Sequence, residues 1–173
     1  MTGEEEAMRS RIRGQHKTVL VKWDGFEAWV DRGIAPLIEE IWKAGIFTLL
    51  SCEENRPGIM WIEFASAIEA EAFLNIVARY EEDIDSLYNR IRQGWSHIDG
   101  EIQGAWEYAI NPLDYSVEQR ILDDDSIEES CSGPSEFIFS MGIRFPKEDY
   151  PTILQRMKEH NSQALELKES SAA

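Results

Sequence analysis

Ile46-Phe47-Thr48-Leu49-Leu50-Ser51-Cys52, then Glu54-Asn55-Arg56-Pro57-Gly58, then Ile59-Met60-Trp61-Ile62-Glu63-Phe64: two apolar runs flank a short polar segment that ends in proline and glycine. Runs of this length, rich in β-branched and aromatic residues, predict strands, and the Pro-Gly step predicts the turn between them. The stretch therefore predicts a β-hairpin with Ile46, Leu49, Ile62 and Phe64 buried in a sheet. Ser66-Ala67-Ile68-Glu69 follows at once. A serine followed three residues later by a glutamate is the signature of a capping box, here opening a helix to about Tyr80.

Upstream, Ile34, Leu37, Ile38, Ile41 and Trp42 recur at the spacing that lines one helical face. Pro36 falls in the first turn, where its missing N–H costs little, and Gly45 stands where helices end. Before that, His16 to Trp23 reads as a strand that brings Val19 and Leu20 into the same sheet. The order to this point is β-α-β-β-α. Downstream, Ile84, Leu87, Tyr88 and Ile91 predict a helix over Glu82–Gln93. Trp106 to Ile110 predicts a strand ended by Asn111-Pro112, and Phe137 to Phe145 a stronger one. Pro146 then leads into a helix with Tyr150, Ile153, Leu154 and Met157 on one face. The expected class is α+β: an antiparallel-rich sheet with helices packed on one face, an elaborated ferredoxin-like domain, with a mixed α/β sheet as the alternative. Residues 1–15 and 161–173, polar and without period, are expected as flexible tails around a single domain at 16–160.

Composition agrees with a packed interior: 43% of the 173 residues are apolar and six are tryptophan, enough to argue against global disorder. No stretch approaches the roughly 20 apolar residues of a membrane-spanning helix. Met1-Thr2-Gly3-Glu4-Glu5-Glu6 is acidic where a secretory leader is basic, so a cytoplasmic location is expected, with no membrane association. The net charge is −16, and residues 81–135 alone carry fourteen acidic and three basic side chains. Such a body repels phosphate backbones, which excludes direct nucleic-acid binding by the fold and favours a basic protein partner or a small ligand. Asp123, Asp124, Asp125, Glu128 and Glu129 are the candidate partner-binding residues.

Val30-Asp31-Arg32-Gly33-Ile34-Ala35-Pro36-Leu37, then Trp42, then Gly45-Ile46-Phe47-Thr48-Leu49-Leu50-Ser51-Cys52 form the most distinctive pattern. Over residues 16–80 it resembles a group of small uncharacterised bacterial and phage proteins with a V-D-x-G-I-x-P-L…W-x-x-G-I-x-T-x-x-S-C core. The resemblance implies a shared fold. Arg32 stands where that group often carries glutamate, so an acidic pair at this step is halved here.

Asp31, Ser51, Cys52 and Glu53, with His16 within spatial reach, are the candidate ligand-binding residues, because the Ser51-Cys52 step lies where a strand meets a turn. A cysteine nucleophile needs a lowered pKa, and the neighbouring Glu53 and Glu54 act the other way. The two cysteines, Cys52 and Cys131, are expected as free thiols, with Cys52 buried. His16, His97 and His160 are scattered and no metal-ligand spacing occurs, so no metal and no cofactor is expected. Trp23, Trp42 and Trp61 are expected in the core, while Trp29, Trp95 and Trp106 are candidates for a pocket rim. Two functional classes follow. The first is a non-enzymatic binding or interaction protein, an accessory or phage-encoded factor, using the acidic surface or an aromatic pocket. The alternative is a small enzyme or ligand-binding domain with its site near Asp31, Ser51, Cys52 and Glu53. No catalytic set stands out, which favours the first.

Overall fold

Asp24 and Gly25 both take positive φ, at 45° and 86°. Two such residues in succession make the tight turn whose twist matches that of paired strands, and an Asp-Gly step is its strongest sequence signal. In the computed structural model, which describes residues 16–94, 97–98, 101–102, 106–113 and 138–171, this turn joins β1 (Thr18–Trp23) to β2 (Phe26–Asp31). The two strands pair antiparallel as a sheet of their own. The expectation that residues 16–23 enter the main sheet is thereby corrected: the Asp-Gly turn gives β1 a nearer partner. Leu20, expected buried, is 40% exposed, because it faces outward beside Trp29 while Val21 and Val30 face the core.

The chain then forms α1 (Ala35–Lys43), whose Ile34 entry residue and Leu37, Ile38 and Ile41 are all buried, the face that the spacing predicts. β3 (Thr48–Arg56) and β4 (Ile59–Phe64) pair antiparallel, as expected. β3 nevertheless continues through Glu54, Asn55 and Arg56, residues expected in the turn, so the turn is Pro57-Gly58 alone and the Ser51-Cys52 step lies within the strand. Leu49, expected inside, is half exposed, because the register slips between Thr48 and Leu50. α2 (Ala67–Val77) opens on the predicted cap, with Ser66 Oγ accepting from the Glu69 N–H at 3.3 Å. The Glu69 carboxylate accepts from the Phe47 N–H at 2.9 Å, so the cap also ties α2 to the start of β3. α3 (Leu87–Gln93) is shorter than predicted, since Ser86 caps the helix and leaves Ile84 exposed outside it.

β5 (His97–Ile98) and β6 (Glu101–Ile102) form a small hairpin. β7 (Glu107–Leu113) and β8 (Ile138–Pro146) complete a four-stranded antiparallel sheet in the order β3-β4-β8-β7. Pro112 does not end β7, because β7 is an edge strand and a missing donor there breaks no second ladder. A short 3₁₀ turn, Lys147–Asp149, leads into α4 (Tyr150–Ser171). Helical backbone thus continues through 161–171, a stretch expected as a tail, and Asn161 anchors it by donating to the Glu40 main-chain oxygen at 2.9 Å and its carboxylate at 2.8 Å.

The result is an α+β fold in which three hairpins are each followed by a helix: β1-β2-α1, β3-β4-α2 and β7-β8-α4. Met60, Ile62 and Phe64 of β4 meet Ile143 and Phe145 of β8 on one buried face of the sheet. Phe73 of α2 packs on Phe64, and Ile153 and Met157 of α4 close the core. Trp106, a candidate rim residue, is fully buried against Phe145, and its indole N–H donates to the buried Asp149 at 2.8 Å. Conversely Trp23, expected inside, is about two-fifths exposed at the hairpin tip. The opposite face of the sheet is polar. There Arg56 and Glu107 form a two-pronged ion pair, and Glu63 is buried with Oε1 accepting from Asn111 at 2.7 Å and from the Ser140 hydroxyl. Gly142 lets that carboxylate in, since a Cβ there would lie 2.8 Å from Glu63 Oε2.

Candidate functional site

Three separate elements converge at the foot of the first hairpin. His16 immediately precedes β1, Asp31 ends β2, and Cys52 and Glu53 lie in the middle of β3. The Arg32 N–H donates to the Lys17 main-chain oxygen at 2.7 Å, which closes the hairpin's open end and holds His16 beside Asp31. His16 Nδ1 lies 2.9 Å from Asp31 Oδ2, and the same oxygen accepts from the Glu53 backbone N–H at 3.1 Å. The Cys52 Sγ lies 3.8 Å from His16 Nδ1, and the Asp31 carboxylate is near enough to push the thiol to a higher pKa. Asp31 is therefore a hub on which an imidazole and a strand N–H converge, with the Cys52 thiol beside them.

Glu53 carries the network one step further. Its carboxylate accepts from the Gly33 N–H. A Cβ on residue 33 would lie 2.3 Å from Glu53 Oε2, so the close approach needs glycine or a retreat of the carboxylate. This contact gives the Asp31-Arg32-Gly33 step its structural meaning: the aspartate points at β3 and the glycine admits a glutamate from β3. Tyr150, at the start of α4, is a member of this neighbourhood that sequence periodicity marks only as core. Its hydroxyl is pushed to a higher pKa by burial and by the negative charge of Glu53.

Four of the five predicted residues, His16, Asp31, Cys52 and Glu53, are thus brought together. Ser51 is not, because it pairs with Ile62 and successive residues of a strand face opposite ways. Asp123, Asp124, Asp125, Glu128 and Glu129 lie outside the described residues, as do Trp95 and Cys131.

The electrostatics decide which chemistry the cluster supports. Cys52 is 7% exposed, and burial pushes its thiol up to about 11, the Asp31 and Glu53 carboxylates adding to the shift and a backbone hydrogen bond at Glu54 opposing it. A thiol so placed is protonated at neutral pH, whereas the thiolate is the nucleophile. A relay would need one imidazole nitrogen on the sulfur and the other on the carboxylate. Here both partners face Nδ1. The arrangement is a set of donor atoms gathered around one point, and one ligand atom from each of His16, Asp31 and Cys52 lies within 4.8 Å of the other two.

A second feature lies at the other end of the hairpin. Trp23 and Phe26 are paired across the turn, and the Phe26 ring meets Phe47 edge-on with centroids 5.1 Å apart. With Trp42 and Leu49 they line a groove of about 490 Å³. Lys43 Nζ sits 5.8 Å from the centre of the Trp23 ring at its margin. Trp23, Phe26, Phe47 and Leu49 are all at least two-fifths exposed, so the lining is open to a partner. Of this lining the sequence marked only the aromatic content, and the Asp24-Gly25 turn was the signal that places Trp23 and Phe26 side by side.

No protein-family model matches this chain, and no solved structure gives a significant match. It is similar to uncharacterized protein R428 of Acanthamoeba polyphaga mimivirus, 26% identical over 145 residues that span 82% of this chain and 68% of the viral protein. Among the described residues no helix is long and apolar enough to cross a membrane.

Proposed function

We propose that this chain is a binding protein that seats an apolar anchor side chain of a basic protein partner in the groove between Trp23, Phe26, Phe47 and Leu49. The supporting observation is the groove itself: large apolar side chains, each at least two-fifths exposed, line one concavity on a chain whose net charge is −16. Isolated exposed apolar residues are ordinary on protein surfaces, but contiguous ones mark contact sites, and aromatic-lined pockets are where binding energy concentrates. The acidic charge would speed the encounter with a partner carrying lysine and arginine around that anchor. A protonated, buried Cys52 favours this reading over covalent catalysis.

Selection of displayed random peptides against the full chain tests it. Recovered sequences should pair an aromatic or aliphatic anchor with flanking Lys or Arg, and their association should slow with added salt. The double variant Phe26→Ala/Phe47→Ala should lose binding by more than about tenfold, in line with the 1–2 kcal/mol or more that anchor contacts contribute. Peptides that bind this variant as well as the wild type, or that carry no apolar anchor, would overturn the reading.

A further inference from the structure

We propose that His16 Nδ1, Asp31 Oδ2 and Cys52 Sγ bind one divalent transition-metal ion of the zinc class. The inference stands apart from the groove, since it uses none of the groove residues.

Geometry carries it. Zinc bonds of about 2.0–2.1 Å to nitrogen, 2.0–2.2 Å to oxygen and 2.3 Å to sulfur, set tetrahedrally, hold nitrogen and oxygen about 3.4 Å apart and nitrogen and sulfur about 3.6 Å apart. The corresponding separations here are 2.9 Å and 3.8 Å. An ion therefore needs the imidazole and carboxylate to part by about half an ångström, and the sulfur to close by less. These are side-chain adjustments that leave β1, β2 and β3 where they are.

The donor types select the ion. Calcium and magnesium take oxygen ligands, whereas an imidazole, a thiolate and one carboxylate form the borderline-soft set that favours zinc and its neighbours. The surroundings are those of a supported site. The Glu53 N–H orients the Asp31 carboxylate, and the Arg32–Lys17 hydrogen bond braces the segment that carries His16. Such outer contacts fix first-sphere ligands in metal sites. The side chains of His16 and Asp31 are only 14% and 13% exposed, which limits competition from bulk water.

Binding exchanges protons for the ion. The Cys52 thiol gives its proton to solvent, and the freed sulfur electron pair bonds to the metal. His16 shifts to the tautomer protonated at Nε2, so that the Nδ1 lone pair faces the ion. The carboxylate and thiolate charges then balance the dication, leaving a neutral buried unit. Among the described residues no fourth histidine, cysteine or carboxylate joins the three. Three protein ligands leave one tetrahedral position for a water or another small donor.

The test titrates the chelator-stripped full chain with cobalt(II), then displaces it with zinc. One equivalent should produce the near-ultraviolet thiolate-to-cobalt charge-transfer band and the intense visible bands of a tetrahedral site, both abolished by zinc. Cys52→Ser should remove the charge-transfer band, while Cys131→Ser should retain it. His16→Ala and Asp31→Ala should each weaken zinc binding by more than about 100-fold, beyond the roughly 10–100-fold that outer contacts contribute. Circular dichroism of each variant separates lost ligands from lost fold, and the wild-type titration needs no variant at all. Absence of a one-equivalent cobalt spectrum in the folded wild type would overturn the site. So would a charge-transfer band that persists in Cys52→Ser, or zinc affinity unmoved in folded His16→Ala.

Discussion

Replacing Asp31 by alanine, in protein kept free of metal by a chelator, measures how much the hub contributes to the fold. Asp31 Oδ2 accepts from the imidazole at 2.9 Å and from the Glu53 N–H at 3.1 Å. Removing it leaves two donors short of an acceptor in a region where the side chains are only 13–14% exposed. An unsatisfied buried donor costs about 1–3 kcal/mol, and partial access to water brings the pair to about 3 kcal/mol together. For a chain of this size 1 kcal/mol moves Tm by about 2–4 °C, so Tm should fall by roughly 6–12 °C. Cys52→Ala leaves both of these donors on Asp31 and removes only the weak sulfur contact with His16, so its hydrogen-bond loss should stay near 1 kcal/mol or below. Urea unfolding followed by tryptophan fluorescence gives both values, and an unchanged m-value would place the effect in the native state. If Asp31→Ala lowers Tm by less than about 2 °C, or no more than Cys52→Ala, the three strands are held together without the hub and the reasoning fails.

Two further outcomes can be measured on the metal-free protein. Cys52 titrates near 11 against an ordinary value of 9.0, so the folded state holds its proton more tightly than the unfolded chain does. The sign follows: its contribution is complete below pH 9.0 and is lost as pH rises towards about 11. Stability should therefore decline more steeply over that window in the wild type than in Cys52→Ser, and alkylation of Cys52 should accelerate through it; equal slopes would rule the shift out. Trp106→Phe removes the N–H that reaches buried Asp149, leaving the Arg90 pairing, and opens a small cavity against Phe145. The expected cost is roughly 2–4 kcal/mol in urea unfolding, and a cost near zero would show that the bond to Asp149 contributes nothing.

Much of the architecture could be read directly, because it depends on local physics. The 46–64 hairpin, the Ser66 cap, the apolar face of α1 and the strand before Pro146 each rest on spacing, turn chemistry or capping within a few residues. Asp24-Gly25 is the same class of local signal, and it sets β2 and the separate first hairpin. Burial was less legible. Trp23 and Trp106 exchange their expected roles, because an indole at a hairpin tip stays half in water while one beside a buried carboxylate is drawn inside by its N–H.

The sequence by itself singles out Asp31, Cys52 and Glu53 as candidates and His16 as a titratable group, although β3 runs through Arg56 and puts Cys52 and Glu53 mid-strand and not at the expected strand end. Only the tertiary structure decided that these residues meet. They are separated by up to 37 positions in the chain, and no periodicity links them. Their encounter depends on how the first hairpin leans on β3, which is set by the direct contact of β2 with β3 and by a glycine at 33 that lets Glu53 approach. Ser51 shows the limit from the other side. It is adjacent to Cys52 in sequence, yet the strand's alternation turns it away, and a neighbour in the chain becomes a stranger to the site.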